Sequence, residues 1–421
     1  MSQIRQINAS DAFAWLKCRR RAWFDLHPPE GLKPVEDPFS DLVAARGVEH
    51  EQAIREELGH GTHARSIAHT RALIEQRESL IYQPTFADES IAVIGRPDFL
   101  TLESDNDYRV IDAKLATNIK THPEIVIQMS TYARLFPSPH RPAVILGDRS
   151  FVELDGNVLE AADDFLNDMQ ILAKQTERPR TDYSHSKCHA CAYHDICIPD
   201  FERSKELTLI YGLDRRAVPH LENNGIRDYA ALAASNPDRL EDTPYFKGDR
   251  KTRLVRQARA YLHNRIDVLS APDLPSCPWV HFDVESDPFA NPDEGIVYLW
   301  GFLLPNGRFS HVWAEPGGGK QQAAWQCVLS LFENLRQDYP SVVIAHFAHY
   351  EVQIVKNYAS LFGDEAHPTV EWLLGQDSPL IDLRDIVRNH LILPLKSYGL
   401  KAICKDPRLV NFQWALEESG S

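Results

Sequence analysis

The sequence predicts two α/β domains joined by a small helical spacer, and three observations carry that reading. At 421 residues, 43% hydrophobic and 25% charged, the chain is too long for one ordinary core and has a globular composition. A β-type meander over 80–113 sits among helical stretches, and a second strand-rich pattern begins after residue 278. Between them lie a helical segment and "SAPDLPSCP" (270–278), whose three prolines mark a linker.

The first 80 residues read as helical, most clearly in "DPFSDLVAARGVEHEQAIREEL". The pattern then changes to short β runs, "SLIYQPTF", "SIAVIGRPDFLTL" and "YRVIDAKL". The turn-rich "ESDND" (103–107) between the last two predicts a hairpin. "PEIVIQMSTYARLF" returns to helical spacing, followed by the strand "PAVILGD" and a helix over 158–174, which completes a domain spanning 1–200. Residues 201–269 form the helical spacer, in which "LENNGIRDYAALA" has the apolar–Gly–Ile turn of helix-hairpin-helix backbone binders. After the linker, 279–421 reads as "WVHFDVES", "GIVYLWGFLL", "RFSHVWAE", then helix, the strand "SVVIAHF", helix and strand.

A net charge of −15 argues against broad adhesion to nucleic acid, but local strips matter more than the total. Arg19 and Arg20 in "KCRRR", and Arg253 and Arg256 in "KGDRKTRLVRQAR", are candidate nucleic-acid contacts; a solvated helix face is the alternative for each. No apolar run is long enough to span a bilayer and the N-terminus has no apolar h-region, so no membrane association and a reducing cytoplasm are expected. There, clustered cysteines signal metal rather than disulfide, and an odd total of seven agrees. Three of them, Cys188, Cys191 and Cys197, fall in "KCHACAYHDIC", one ligand short of a four-cysteine site. Cys277, Cys327 and Cys404 lack partners at ligand spacing and read as buried thiols.

Chemistry concentrates in "GRPDFLTLESDNDYRVIDAKLA". Pairing of its strands puts Asp98 and Asp112 on neighbours, and Lys114, two residues after Asp112, leaves the same face. Two converging carboxylates, with the Ala113 carbonyl, can hold a hard divalent cation such as Mg2+ or Mn2+. The Lys114 ammonium can orient a water or stabilise a pentavalent phosphate. "D-x-K" alone is weak, since a solvated sheet face gives the same letters. His50 on an upstream helix adds a possible imidazole ligand, and Gln128 and Tyr132, four apart, share one helix face.

Gly47–His50, Asp98, "IDAK" and the Gln128–Tyr132 pair resemble the RecB-type branch of the PD-(D/E)XK nucleases. Within it they are most similar to the iron–sulfur subgroup that includes AddB and the CRISPR-associated RecB-like exonucleases. The resemblance implies a restriction-endonuclease-like fold with Asp98, Asp112, Lys114, Gln128 and Tyr132 catalytic and His50, Asp98 and Asp112 on the metal. It also implies a fourth cysteine near the N-terminus, which Cys18 in "WLKCRRRAWF" supplies, and a [4Fe–4S] cluster on Cys18, Cys188, Cys191 and Cys197. Zinc is the rival occupant, with His189 and His194 nearby.

In the last domain, "HFDVES" sets Asp283 and Glu285 on one strand face and "VIAHFAHYE" brings Glu351 to a strand-to-helix edge. This order resembles the DnaQ-like (DEDD) exonucleases of RNase H-like fold, which implies a second metal site on Asp283, Glu285 and Glu351. Asp382 in "LIDLRDIV" either stands beside that site or caps its strand. No Y-x3-D or H-x4-D follows, so the domain reads as lacking its last helix and as catalytically impaired. The expected function is a Mg2+/Mn2+-dependent nuclease, an exonuclease acting on single-stranded or end-bearing DNA in repair, recombination or defence. A helicase or other repair protein is a candidate partner. The alternative is a nucleic-acid-binding scaffold that retains nuclease folds without cutting.

Overall fold

The structure, a computed structural model, describes residues 5–29, 31, 38–154, 158–287 and 296–412. Its chain divides into two units, 1–199 and 200–421. In the first, β1 (Ile7–Asn8) leads to α1 (Ala12–Lys17) and α2 (Arg19–Leu26). Cys18 separates these helices with an extended backbone, φ −167° and ψ 120°, that ends one and starts the other. Next come α3 (Pro38–Leu58), β2 (Thr62–His63) and α4 (Ile67–Glu75), the last capped by Ser66, whose hydroxyl accepts the His69 N–H at 3.1 Å. The meander is β3 (Leu80–Tyr82), β4 (Phe86–Asp88), β5 (Val93–Gly95), β6 (Phe99–Leu102) and β7 (Tyr108–Ala113). It is followed by α5 (Pro123–Leu135), β8 (Ala143–Ile145), β9 (Phe151–Glu153), α6 (Val158–Lys174), α7 (His185–Cys188) and α8 (His194–Ser204).

Six strands form the main sheet of this unit, in the order β2-β3-β6-β7-β8-β9, and β1, β5 and β4 form a second sheet. The expected hairpin is present: β6 and β7 are antiparallel, with Leu102 opposite Tyr108. Its turn closes through the Glu103 N–H to the Asp107 carbonyl at 2.8 Å, with Asn106 at φ +68°. α5 begins with Pro123 at its first turn, where the missing N–H costs nothing, and crosses from β7 to the parallel strand β8. Alternation along the strands divides the sheet's two faces. Leu100, Val110 and Val144 pack with Ile125, Met129 and Tyr132 of α5, while Phe99, Ile111 and Ile145 pack with Ile54 of α3.

The second unit opens with α9 (Val218–Asn223), α10 (Tyr229–Ala234), α11 (Asp249–Leu262) and β10 (Asp267–Val268). β11 (Trp279–Asp287), β12 (Ile296–Leu303), β13 (Phe309–Trp313), α12 (Gly318–Asp338), β14 (Val343–His346), α13 (Tyr350–Phe362), α14 (Pro368–Leu374) and β15 (Leu380–Asp382) follow. Last are α15 (Leu383–His390), β16 (Leu391–Ile392) and α16 (Leu400–Lys405). The sheet order is β13-β12-β11-β14-β15, antiparallel through the first three strands and parallel through the last two. Val280, Phe282 and Val284 of β11 enter a core with Trp300, Trp325 and Phe332, so the intervening His281, Asp283 and Glu285 stay accessible. The helical stretch is knit to this unit: β10 pairs with β16, and Gln257 of α11 donates to the Leu393 carbonyl at 2.6 Å.

Cys327 is exposed rather than buried, because its position on α12 faces away from the Trp325–Val328–Phe332 stripe; Cys277 and Cys404 are half-buried. The reading of a missing last helix concerns residues from 413 onward and lies outside the described residues. Among the described residues no helix is long and apolar enough to cross a membrane.

Gly147, just after β8, is a close-packed position in this fold. A Cβ there would meet the Leu115 carbonyl oxygen at 2.3 Å, a backbone atom that cannot rotate away. Gly147→Ala should destabilise the protein by roughly 1–3 kcal/mol in thermal or urea unfolding. Gly47→Ala, with nothing within 4 Å of the added methyl, should be neutral or stabilising by up to about 1 kcal/mol. Equal effects at the two positions would contradict this packing.

Candidate active sites and the cysteine cluster

Asp98 and Asp112 meet because β6 and β7 pair. With Phe99 opposite Ile111, the residue before β6 faces the penultimate residue of β7. The two exchange contacts: the Asp98 N–H donates to Asp112 Oδ1 at 3.0 Å, and the Ala113 N–H donates to Asp98 Oδ2 at 2.7 Å. Lys114 Nζ lies 2.7 Å from Asp112 Oδ2 and donates to Gln128 Oε1 at 3.1 Å. Gln128 in turn donates to the Tyr132 hydroxyl at 2.7 Å, which donates to the Arg96 carbonyl at 3.2 Å. Asp98, Asp112, Lys114, Gln128 and Tyr132 thus form one continuous network on the α5 face of the sheet.

Its electrostatics are those of charge held out of water. Asp112 is 1% exposed, and its Oδ2 receives no aligned hydrogen bond despite the nearby ammonium. Burial, and then the Asp112 carboxylate, hold the Asp98 carboxyl well above the usual aspartate range. Burial works against the Lys114 ammonium, but Asp112 and Asp98 outweigh it and raise its pKa. Tyr132 is likewise held neutral, first by burial and then by Asp112. A buried carboxylate held by one ammonium, beside a second carboxyl that resists ionising, is a donor set that suits a divalent cation.

His50 stands apart from this network. α3 packs over the opposite face of the sheet, and the imidazole Nε2 lies 3.4 Å from the Ile145 carbonyl, the same oxygen that accepts the Lys114 N–H. Burial lowers its pKa, so the ring is neutral and keeps a lone pair for a metal. Among the described residues it does not close with Asp98 and Asp112 to within 4.8 Å. Sequence reasoning missed Glu51, which adds negative charge at Asp98 and Lys114. Its Oε1 accepts from Gln83 Nε2 at 2.8 Å, and Gln83, at φ +50°, donates its N–H to the Asp98 carbonyl at 2.8 Å. The available signal was its position beside His50, four residues after Gly47 on α3.

In the second unit, Asp283 and Glu285 leave the accessible face of β11 and Glu351 lies in the first turn of α13, 4% exposed. Asp283 hydrogen-bonds to Glu351 and is pushed up to about 6, first by desolvation and then by the Glu351 and Glu285 carboxylates. Glu351 Oε2 is buried without a hydrogen-bond partner. Asp382, the last residue of β15, is the N-cap of α15: its Oδ1 accepts the N–H groups of Arg384 at 2.8 Å and of Ala348 at 2.9 Å.

The four cysteines come together from the two ends of the first unit. Cys18 and Cys191 both act electrostatically on Cys188 and on Cys197, whose thiol is pushed up to about 11, chiefly by burial. Arg20 hydrogen-bonds toward Cys197, and the Ser184 N–H donates to Cys188 Sγ at 3.4 Å. All four are free thiols. Of the rival ligands, His189 stacks near His185 and His194 Nδ1 lies 3.1 Å from Asp195. The arginines of the basic strips are engaged internally: Arg19 with Asp168, Arg20 with the Pro179 carbonyl, Arg253 with the Arg388 carbonyl, and Arg256 with Asp267 through two bonds.

Because the pKa of Asp98 is raised on folding, the native state binds that proton more tightly than the unfolded chain. Its contribution to stability is full below about pH 4 and is lost as pH rises through the raised value. Asp98→Asn keeps an acceptor for the Ala113 N–H and removes this penalty. In metal-free buffer the variant should melt higher than the parent at about pH 7, with the difference closing towards about pH 4. A variant melting lower at neutral pH would refute this.

Comparison with known proteins agrees with this division. No curated protein matches the chain. A solved structure described as "Crystal structure of SSO0001" aligns over 47% of this chain and 87% of its own, at 15% identity and a TM-score of 0.25, too low to carry an argument. Family models are informative: residues 5–198 match the PD-(D/E)XK nuclease superfamily, and residues 280–420 match the RNase H superfamily. The chain therefore carries a PD-(D/E)XK nuclease superfamily domain followed by an RNase H superfamily domain.

Proposed function

We propose that this protein is a Mg2+- or Mn2+-dependent DNA nuclease of the iron–sulfur RecB-like type. Its principal active site is the Asp98–Asp112–Lys114 network, and it acts as an exonuclease on single-stranded or end-bearing DNA in repair, recombination or defence. The observation that carries the reading is the linkage of Asp98 to Asp112 and of Asp112 to the Lys114 ammonium, further fixed by Gln128 and Tyr132. Asp98 and Asp112, with His50 as the imidazole, would hold the cation, which when bound polarises the phosphate and acidifies a water. Lys114, oriented by Gln128, supplies fixed positive charge where the attacked phosphate becomes more negative. Asp283, Glu285 and Glu351 form the second proposed metal site, of lower activity.

For the four cysteines we favour [4Fe–4S] over zinc. The support is the order along the chain, one early cysteine at 18 and three at 188, 191 and 197, which is that of the iron–sulfur subgroup the first domain resembles.

Asp112→Ala and Lys114→Ala should each abolish Mg2+- or Mn2+-dependent cleavage of single-stranded DNA, the first by weakening metal binding and the second with metal binding largely kept. If both variants cut at the parent rate, the active site is elsewhere. Specific DNA binding without cleavage by the parent would favour the scaffold reading. Protein purified without oxygen should be brown and hold about four irons. Cys18→Ser should lose the cluster and much of the first unit's stability. Stoichiometric zinc without iron would overturn the assignment.

A further inference from the structure

The parallel strands β14 and β15 end side by side, with His346 opposite Asp382. From there the chain makes the turn that leads into α13 and to Glu351. Ala348 sits in that turn at φ +76°, a left-handed conformation costly for a residue with a Cβ. Asp382 holds it by accepting the Ala348 N–H on Oδ1, which also accepts the Arg384 N–H. The second oxygen has no such occupation. Asp382 is only 10% exposed at its side chain, and its Oδ2 is buried without a hydrogen-bond partner. It points towards His349 Nδ1, 3.9 Å away. Asp385, one turn further along α15, completes a set in which one ligand atom from each of His349, Asp382 and Asp385 lies within 4.8 Å of the others.

We propose that His349, Asp382 and Asp385 form a binding site for a divalent first-row transition ion such as Mn2+, tying the turn before Glu351 to α15. One imidazole nitrogen and two carboxylates give a mixed N/O donor set suited to such an ion, with further positions left to water. The buried Asp382 oxygen supplies the preorganised ligand, because its carboxylate is already fixed by two backbone donors. His349 and Asp385 are the adaptable ones: the His349 side chain is 74% exposed, and Asp385 is 44% exposed with Arg388 Nη1 at 3.4 Å as a competing cation. The site uses none of the residues assigned above to phosphodiester chemistry, so it stands whether or not those acids cleave DNA.

The test is Mn2+ titration of the full chain, followed by loss of the free-ion signal in electron paramagnetic resonance. Mn2+ is chosen because thiolates prefer softer ions, which keeps the cysteines out of the count. In an Asp112→Ala, Asp283→Ala background, which weakens the other two proposed sites, one equivalent should still bind. Adding His349→Ala should lose it, Asp385→Asn should weaken it by at least about tenfold, and Arg388→Ala should tighten it by freeing Asp385. His349→Ala in the otherwise native chain should lower the stoichiometry by one, a control if the background folds poorly. No binding in the background, or binding unchanged by His349→Ala, overturns the proposal.

Discussion

Holding the buried Asp112 carboxylate between the Asp98 carboxyl and the Lys114 ammonium at the ends of β6 and β7 is the constraint on which the first unit is organised. Each charge is costly alone; together, with two backbone N–H donors and the Gln128 amide, they compensate one another, Asp112 Oδ2 through the ammonium 2.7 Å away. The surrounding structure serves that arrangement. α5 covers the face on which the network lies and supplies Gln128 and Tyr132 from one side of a single helix. Gly95 passes so close to the Tyr132 ring that a Cβ there would fall 2.8 Å from it, so the ring's position is set by packing as well as by hydrogen bonds. Stability is traded for charge density, the exchange expected where a protein prepares a site for a cation.

Both units use one device. Residues two apart on a strand, Asp112 and Lys114 in one and Asp283 and Glu285 in the other, leave the same face while their neighbours enter the core. A helix beginning or passing near the strand's end then contributes the remaining polar group. The outcomes differ because the second residue differs. An ammonium beside Asp112 compensates charge, whereas Asp283, pushed up to about 6 by desolvation and then by Glu351, gains a further like charge from Glu285.

Much of this was legible in the sequence. Period-two alternation and the "ESDND" turn gave the β6–β7 hairpin, and once those strands pair, the Asp98–Asp112–Lys114 contact follows from geometry. Helical spacing gave the Gln128–Tyr132 pair. What was not legible depends on which face a distant element covers. His50 sits on a helix that packs on the opposite side of the sheet and reaches the end of the site at the Ile145 carbonyl, while Glu51 next to it acts electrostatically on Asp98. The basic strip on α11 is a similar case: its spacing was right, but its arginines are engaged by groups outside the helix, Arg256 by Asp267, Arg259 by the Ala233 carbonyl and Arg253 by the distant Arg388 carbonyl.

The break at Cys18 has a consequence for how the first unit assembles during synthesis. α1 and α2 are six and eight residues long, too short to persist by themselves in water. Their partners come late: Trp15 donates to Asp168, Trp23 to the Gln175 carbonyl, and Phe24 stacks on Tyr193, whose hydroxyl donates to Asp25. β1 and α1 can pair earlier, with β5 and α5, but α2 lacks α6 and Tyr193 until almost the whole unit has left the ribosome, and its apolar side chains stay exposed in that interval. Long-range closure of this kind slows folding and favours assistance by chaperones.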